Sequence, residues 1–284
     1  MKIVDIHTHT YPDAIAERTV AALASVAKIV PHSDGTASGL SQGEKEAGIS
    51  LSVVLPVATK PGQVEKINTR AAAANQNYEE TGVFSIGAMH PDYENWHEEL
   101  ARVKELGLKG IKIHPVYQGT DIDAPAFLSI LKRCAELGLF VITHAGDDIG
   151  YPGMIHCSPE MCLHVTQEIP DLKLVLAHMG GWGKWEDVRR LLADTDVLID
   201  TAFSLNPVHR RYEDGTVKDE SILMDDDEFV SMIRLFTADR VLFGTDSPWA
   251  SQKEYVSRML ALPLTDEEKE KIFSLNALKL LGIE

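Results

Sequence analysis

Cysteine is scarce: the chain has three in 284 residues. Cys134, Cys157 and Cys162 form neither an even set nor a Cys-x-x-Cys pair, so a disulfide framework is excluded. They read as structural thiols, and the expected location is a reducing cytoplasm. Long apolar runs are also missing. The longest, such as 49–58, fall far short of the roughly 18 residues that a spanning helix needs, so no membrane segment is expected. Asp5 stands where a signal peptide would begin its apolar run, which argues against export. Positive charge is in deficit, with 27 Lys and Arg against 43 Asp and Glu and a formal charge of -16. No Lys/Arg-rich run offsets this, and phosphate backbones need clustered cations, so nucleic acid is not an expected partner. Internal repeats, low-complexity segments and linkers are absent, and one domain over 1–284 is the economical reading.

What is present fits a globular α/β chain. Apolar residues make up 44% and charged residues 25%, near the average for soluble domains. Short β-branched runs alternate with amphipathic ones from end to end. The runs predict strands at 2–6, 50–56, 83–88, 110–114, 140–144, 172–178, 197–200 and 241–245. Between them, apolar residues at three- and four-residue spacing predict helices at 14–28, 63–80, 96–106, 126–137, 160–168, 185–193, 226–236 and 253–260. Eight such alternations call for parallel pairing with right-handed crossovers, and the length suits a single (β/α)8 TIM barrel of about 250 residues. An additional C-terminal helix, 265–281, opens on a capping box, Thr265-Asp266-Glu267-Glu268. Two connections, 30–43 and 202–224, are longer than needed and read as substrate loops.

Polar, metal-binding residue types recur where these strands end. His7 and His9 close the first, Lys112 and His114 the fourth, His144 the fifth and His178 the sixth, and Asp246 follows the eighth. Alternation along the first strand puts Asp5, His7 and His9 on one face. Residues at the C-terminal rim of a parallel barrel read as catalytic, and five of the eleven histidines fall on that rim. Imidazole nitrogen and carboxylate oxygen suit a divalent ion with one coordination position open. Water bound there has its pKa lowered to about 7. His7, His9, His144 and Asp246 are the expected ligands, Asp246 doubling as general base, with His178 catalytic beside the bound water or substrate.

The stretches Asp5-x-His7-x-His9, Gly110-Ile-Lys-Ile-His-Pro115, Thr143-His144, Ala177-His178-Met-Gly-Gly181 and Gly244-Thr-Asp-Ser-Pro-Trp249 together resemble the amidohydrolase superfamily. More narrowly they resemble its amidohydrolase-related branch of hydrolases and non-oxidative decarboxylases. The resemblance runs along nearly the whole chain. It implies a (β/α)8 barrel, the same four metal ligands, His178 as a catalytic residue, and often a homodimer. It also implies one divalent ion per chain, with zinc expected first and manganese or iron accepted. In two-metal members a strand-four lysine is carboxylated and bridges the ions. In the related branch Lys112 would instead bind a substrate carboxylate or support the barrel floor.

Other residues have plainer readings. His114 before Pro115 either hydrogen-bonds within the barrel or touches substrate, and His90 before Pro91 poses the same choice. His156 and His164 flank Cys157 and Cys162, but Cys-x4-Cys fits structural zinc poorly and packing is expected. His97-Glu98-Glu99 lacks the second histidine of a zinc-protease helix, and Gly180-Gly181-Trp182-Gly183-Lys184 has Trp185 where a phosphate loop needs Ser or Thr. Trp182, Trp185 and Trp249 could wall a pocket for a planar or apolar small molecule. Arg210 or Arg211 could grip a carboxylate, though neighbours point apart. The run Asp225-Asp226-Asp227-Glu228 caps a helix. The first expectation is a hydrolase of an amide, ester or lactone. The alternatives are a decarboxylase of a small aromatic or unsaturated acid, and a catalytically silent ligand-binding barrel.

Overall fold

The computed structural model describes residues 1–283. Strands follow in the order β1 (Val4–Thr8), β2 (Leu51–Val54), β3 (Val83–Ser85), β4 (Gly87–Ala88), β5 (Gly110–Ile113), β6 (Phe140–Thr143), β7 (Leu174–Leu176) and β8 (Leu198–Asp200). A hairpin of β9 (Val208–Arg211) and β10 (Val217–Glu220) precedes the last strand, β11 (Val241–Leu242). Except for the antiparallel hairpin all pairing is parallel, in the orders β1-β2-β3 and β4-β5-β6-β7-β8-β11. Backbone bonds join the two runs. Ile86 N–H donates to Val54 O at 3.2 Å, Ile6 N–H to Phe243 O at 2.8 Å and Asp246 N–H to His7 O at 2.8 Å. With β3 and β4 forming one strand position and helices between successive positions, this is the α/β architecture of a TIM barrel.

Side chains sort by strand periodicity. Ile6, Val53, Ile86, Ile142, Val175 and Leu242 form one buried cluster with Ala277 and Leu281 of the last helix, Asn276–Leu281. Their neighbours Ile111, Val141, Leu176 and Ile199 join a second cluster with Leu131, Val165, Val188 and Ile233 from the surrounding helices. Strands covered on both faces need apolar residues at nearly every position, which accounts for their continuous apolar runs. The C-terminal helix is interrupted: Asp266–Glu270 leads through a π turn, Lys271–Leu275, into Asn276–Leu281. The turn leaves Ile272 O to accept from Phe243 N–H at 2.9 Å, tying this helix to the eighth strand position. The capping box at Thr265 and Glu268 forms as the sequence indicates.

The two long connections are not the plain loops that composition suggested. Residues 30–43 lead into a helix, Ala37–Ala47, whose N-cap Thr36 accepts from Gly39 N–H. Residues 202–224 carry the β9–β10 hairpin, turning at Asp214-Gly215. Asp225 caps Asp226–Phe236 as expected. No helix among the described residues is long and apolar enough to cross a membrane.

Candidate metal centre

A one-residue bulge determines how β1 presents its histidines. Asp5 pairs with Ser52 and Thr8 with Val54, so three steps on β1 match two on β2. Simple alternation, which placed Asp5, His7 and His9 on one face, therefore fails. Asp5 turns to the flanking helix Gln252–Ala261, where its Oδ2 accepts from Thr245 Oγ1 at 2.6 Å and Gln252 Nε2 at 3.0 Å. His7 and His9 still converge, with their Nε2 atoms 3.2 Å apart.

Asp246 completes the group. Its Oδ1 lies 3.1 Å from His9 Nε2 and 3.5 Å from His7 Nε2. Three ligands around a tetrahedral ion with bonds near 2.0–2.1 Å stand about 3.3 Å apart, so the spacing suits a zinc-sized cation. Proton bookkeeping leads to the same place. His9 Nδ1 donates to Leu55 O at 2.9 Å and His7 Nδ1 donates to Asp200 Oδ2 at 2.8 Å, which leaves both Nε2 atoms as bare acceptors. Two lone pairs and a carboxylate oxygen facing one another repel unless a cation lies among them. These residues fit a divalent ion.

The charge states agree. Burial, reinforced by the charge of Lys112, holds the His7 pKa well below its usual value, so the ring is neutral and ready to ligate. Burial works to raise the Asp246 pKa, but positive charge among His7 and His9 outweighs it and holds the carboxyl below the ordinary range; with the rings neutral, a cation among the donors would supply that charge. Asp200, at the end of β8, orients this arrangement. Its Oδ2 holds His7, and its Oδ1 accepts from the N–H groups of His178 and Ala202 at 2.9 and 3.1 Å. A buried carboxylate on the far nitrogen of a ligating imidazole fixes ring and tautomer. Sequence reading missed Asp200, although it too ends a strand at the rim.

His144 and His178 sit beside this group. The His178 ring is 5.3 Å from the His7 ring. His178 Nδ1 donates to Ala202 O and His144 Nε2 to Asp147 O, so the atoms facing each other at 3.1 Å, His144 Nδ1 and His178 Nε2, are again acceptors. Burial keeps His144 neutral. Yet His144 is not within mutual reach of the His7, His9 and Asp246 donors, and it groups with His114 and Asp148 instead. Asp148, in the loop after β6, is a further residue that sequence reading passed over.

Strain marks the rim. His178, Met179 and Asp246 all have positive φ, at 60°, 55° and 69°. Non-glycine residues there cost energy and persist where the surroundings dictate them. Gly244 shows how little slack exists, since a Cβ built on it falls 2.9 Å from His7 Cβ. Gly244→Ala is expected to displace His7 and weaken zinc affinity about tenfold, checked by competition with a chromogenic chelator.

The other expected site residues separate into two sets. Lys112, on β5, is buried among the charges of Asp200 and Asp246, and burial lowers its pKa from 10.5 to about 8. His114 is buried and stacked on His144. Trp182 packs with Phe203 and Trp249 in a small apolar cluster, its Nε1 buried with no partner among the described residues. Arg210 is not brought to this place. It lies on the β9–β10 hairpin with Nε on Glu220 at 3.0 Å and Nη1 on Ala27 O at 2.7 Å, so the hairpin uses the charge assigned to a substrate. Cys157 and Cys162 pack together in the core, Sγ to Sγ 3.5 Å, while His156 and His164 pair with Asp121 and Asp123.

Comparison with known proteins extends the picture. The chain is 26% identical over 206 residues to 2-amino-3-carboxymuconate-6-semialdehyde decarboxylase of Dictyostelium discoideum, a match spanning 66% of this chain and 57% of that protein. Its fold is similar to that of an uncharacterized TIM-barrel protein from Bordetella bronchiseptica, with TM-score 0.73, 18% identity and 99% of both chains covered. It is also similar to 5-carboxyvanillate decarboxylase from Novosphingobium aromaticivorans, solved with manganese and 4-hydroxy-3-methoxy-5-nitrobenzoic acid. There the TM-score is 0.71 at 16% identity, covering 99% of this chain and 96% of that one. The sequence model of the amidohydrolase family matches residues 4–283, and the chain belongs to that family.

Proposed function

We propose that the chain is a metal-dependent, non-oxidative decarboxylase of a small aromatic or unsaturated carboxylic acid. The observation that carries this is the buried Lys112 amine, close enough for its charge to act on His7, Asp200 and Asp246: a cation so near a metal-binding site is suited to hold a substrate carboxylate. The decarboxylase names of the relatives support the same reading and favour it over hydrolysis of an amide, ester or lactone, which would use the same donors.

His7, His9 and Asp246 would hold the ion. The ion supplies Lewis acidity, drawing electron density from the bound carboxylic acid. Zinc and manganese both accept these donors. Lys112 Nζ fixes the carboxylate by charge. As the bond between ring or alkene carbon and carboxyl carbon breaks, its electron pair stays on the carbon of the organic product and carbon dioxide leaves. That pair takes up one proton, so carboxylate plus proton gives carbon dioxide and the unsubstituted product. Because Nδ1 is committed to the Ala202 carbonyl, Nε2 is the atom at which His178 would first take up a proton and then deliver it to carbon.

The test is a panel of hydroxybenzoic and muconic acids incubated with zinc- or manganese-loaded protein. The expected outcome is carbon dioxide and protonated product in equal amounts, with kcat reduced about 10³-fold in His178→Ala. Turnover of esters or lactones with none of the acids would overturn it.

A further inference from the structure

A second polar place lies one ring beyond the metal donors. The His114 ring is held face to face between Tyr117, with centroids 3.8 Å apart and planes at 15°, and His144, at 4.4 Å and 9°. Its backbone is equally fixed. His114 N–H donates to Gln118 Oε1 at 2.9 Å, and Gln118 Nε2 donates in turn to Ala58 O and Met89 O. Asp148 faces this ring. One of its oxygens, Oδ1, accepts from Gly150 N–H at 2.7 Å, and the other, Oδ2, stands 3.6 Å from His114 Nε2. Both side chains are more than nine-tenths buried.

The pair is close without being joined. At 3.6 Å, Nε2 and Oδ2 are beyond direct hydrogen bonding, and His114 Nδ1 is buried with no hydrogen-bond partner among the described residues. Burial, then the neighbouring His144 and Lys112, keeps His114 neutral, so it gives Asp148 no countercharge. The carboxylate oxygen favours the tautomer with the proton on Nε2. An N–H donor and a carboxylate acceptor therefore confront each other across a gap, each lacking what the other is too far away to supply. Buried polar groups left so cost free energy that a suitable ligand atom recovers. One oxygen that both donates and accepts fills the gap. It gives its proton to Asp148 Oδ2 and receives one from His114 Nε2.

We propose that His114 and Asp148 form a hydroxyl-recognition subsite, so that the substrate is a hydroxylated carboxylic acid anchored at its carboxylate by the metal end and at a hydroxyl by this pair. The inference rests on the decarboxylase reading for the carboxylate end only. An ether oxygen cannot serve, because it has no proton for Asp148. A cation held by His114, His144 and Asp148 is the competing occupant, since their donor atoms lie within 4.8 Å of one another.

The experiment is calorimetric titration of zinc-loaded protein with benzoate, with 2-, 3- and 4-hydroxybenzoate, and with the matching methoxybenzoates, together with a zinc count per chain. The expected result is at least tenfold tighter binding of one 3- or 4-hydroxy acid than of benzoate or its methoxy analogue. Asp148→Ala and His114→Phe, the latter retaining a stacking ring, should abolish that preference and leave benzoate affinity within twofold. A preference that survives both substitutions, or that is absent from the native protein, overturns the subsite. So does a second zinc per chain that Asp148→Ala removes, which would make the cluster a cation site. Failure of every acid to bind sinks the decarboxylase reading itself, a different result from benzoate binding with no hydroxyl preference.

Discussion

Asp246→Asn will purify with less than a tenth of the metal of the native chain and with kcat/KM lower by at least about 10³-fold, while keeping its fold. Asp246 is the one anionic donor in the group with His7 and His9, and its carboxyl pKa lies below the ordinary range. Asparagine replaces a charged oxygen with a neutral amide oxygen at the same place, so affinity for a divalent ion falls steeply while side-chain volume does not change. The backbone tolerates the exchange, because φ of 69° lies in the left-handed region that asparagine adopts more readily than most residues. Elemental analysis and circular dichroism on the same sample separate loss of the ion from loss of structure. Asp200→Asn should be milder, about 10–100-fold in metal affinity, since it touches the ion only through the orientation of His7. Added zinc should raise the melting temperature of the native chain but not of Asp246→Asn, because only a state that binds the ion gains from it. Equal metal retention by the two proteins would dismantle the proposed centre.

Much of this centre was legible because a parallel barrel gathers strand ends, whatever their separation in sequence. His7, His9 and Asp246 were found by that rule alone, although residues 9 and 246 lie at opposite ends of the chain. The rule also covers Asp200, but attention to histidine passed over a carboxylate with no motif around it. What stayed illegible depends on single-residue geometry. The bulge in β1 carries no glycine or proline to announce it, yet it turns Asp5 away from the donors and sends it to Thr245 and Gln252. The helix Ala37–Ala47 contains two glycines and reads as a loop until Leu40 and Glu44 are seen to be buried. The β9–β10 hairpin did leave a signal in Asp214-Gly215, and recognising it would have removed Arg210 from the substrate residues, because a two-stranded arm needs its cations for Glu220 and neighbouring carbonyls. Asp148 shows the deeper limit. Its value lies in a 3.6 Å gap to His114, and no spacing rule encodes a gap.

Lys112→Met will be a more stable protein and a poorer enzyme, and the two effects will respond to pH in opposite ways. Burial lowers the pKa of this amine to about 8 from an unfolded value near 10.5, with Asp200 and Asp246 only partly restoring it. Between those limits the unfolded chain binds the extra proton, so native stability rises as pH climbs from about 8 to 10.5 and is depressed throughout the range below 8. The full difference is at most about 3 kcal/mol. Methionine fills a similar volume without charge, so the variant should gain up to that amount at pH 7 and lose the rise above pH 8, as read from denaturant midpoints. Catalysis runs the other way. A protonated Lys112 holds the substrate carboxylate, so native kcat/KM should decline as pH passes upward through about 8, or lower when a divalent ion adds its own charge nearby. In the variant KM should increase about 100-fold with that decline gone. One zinc per chain in both proteins fits a lysine that binds substrate. A drop from two to one on substitution would instead make Lys112 a bridge between ions, and the pH profile would have to be explained through the metals.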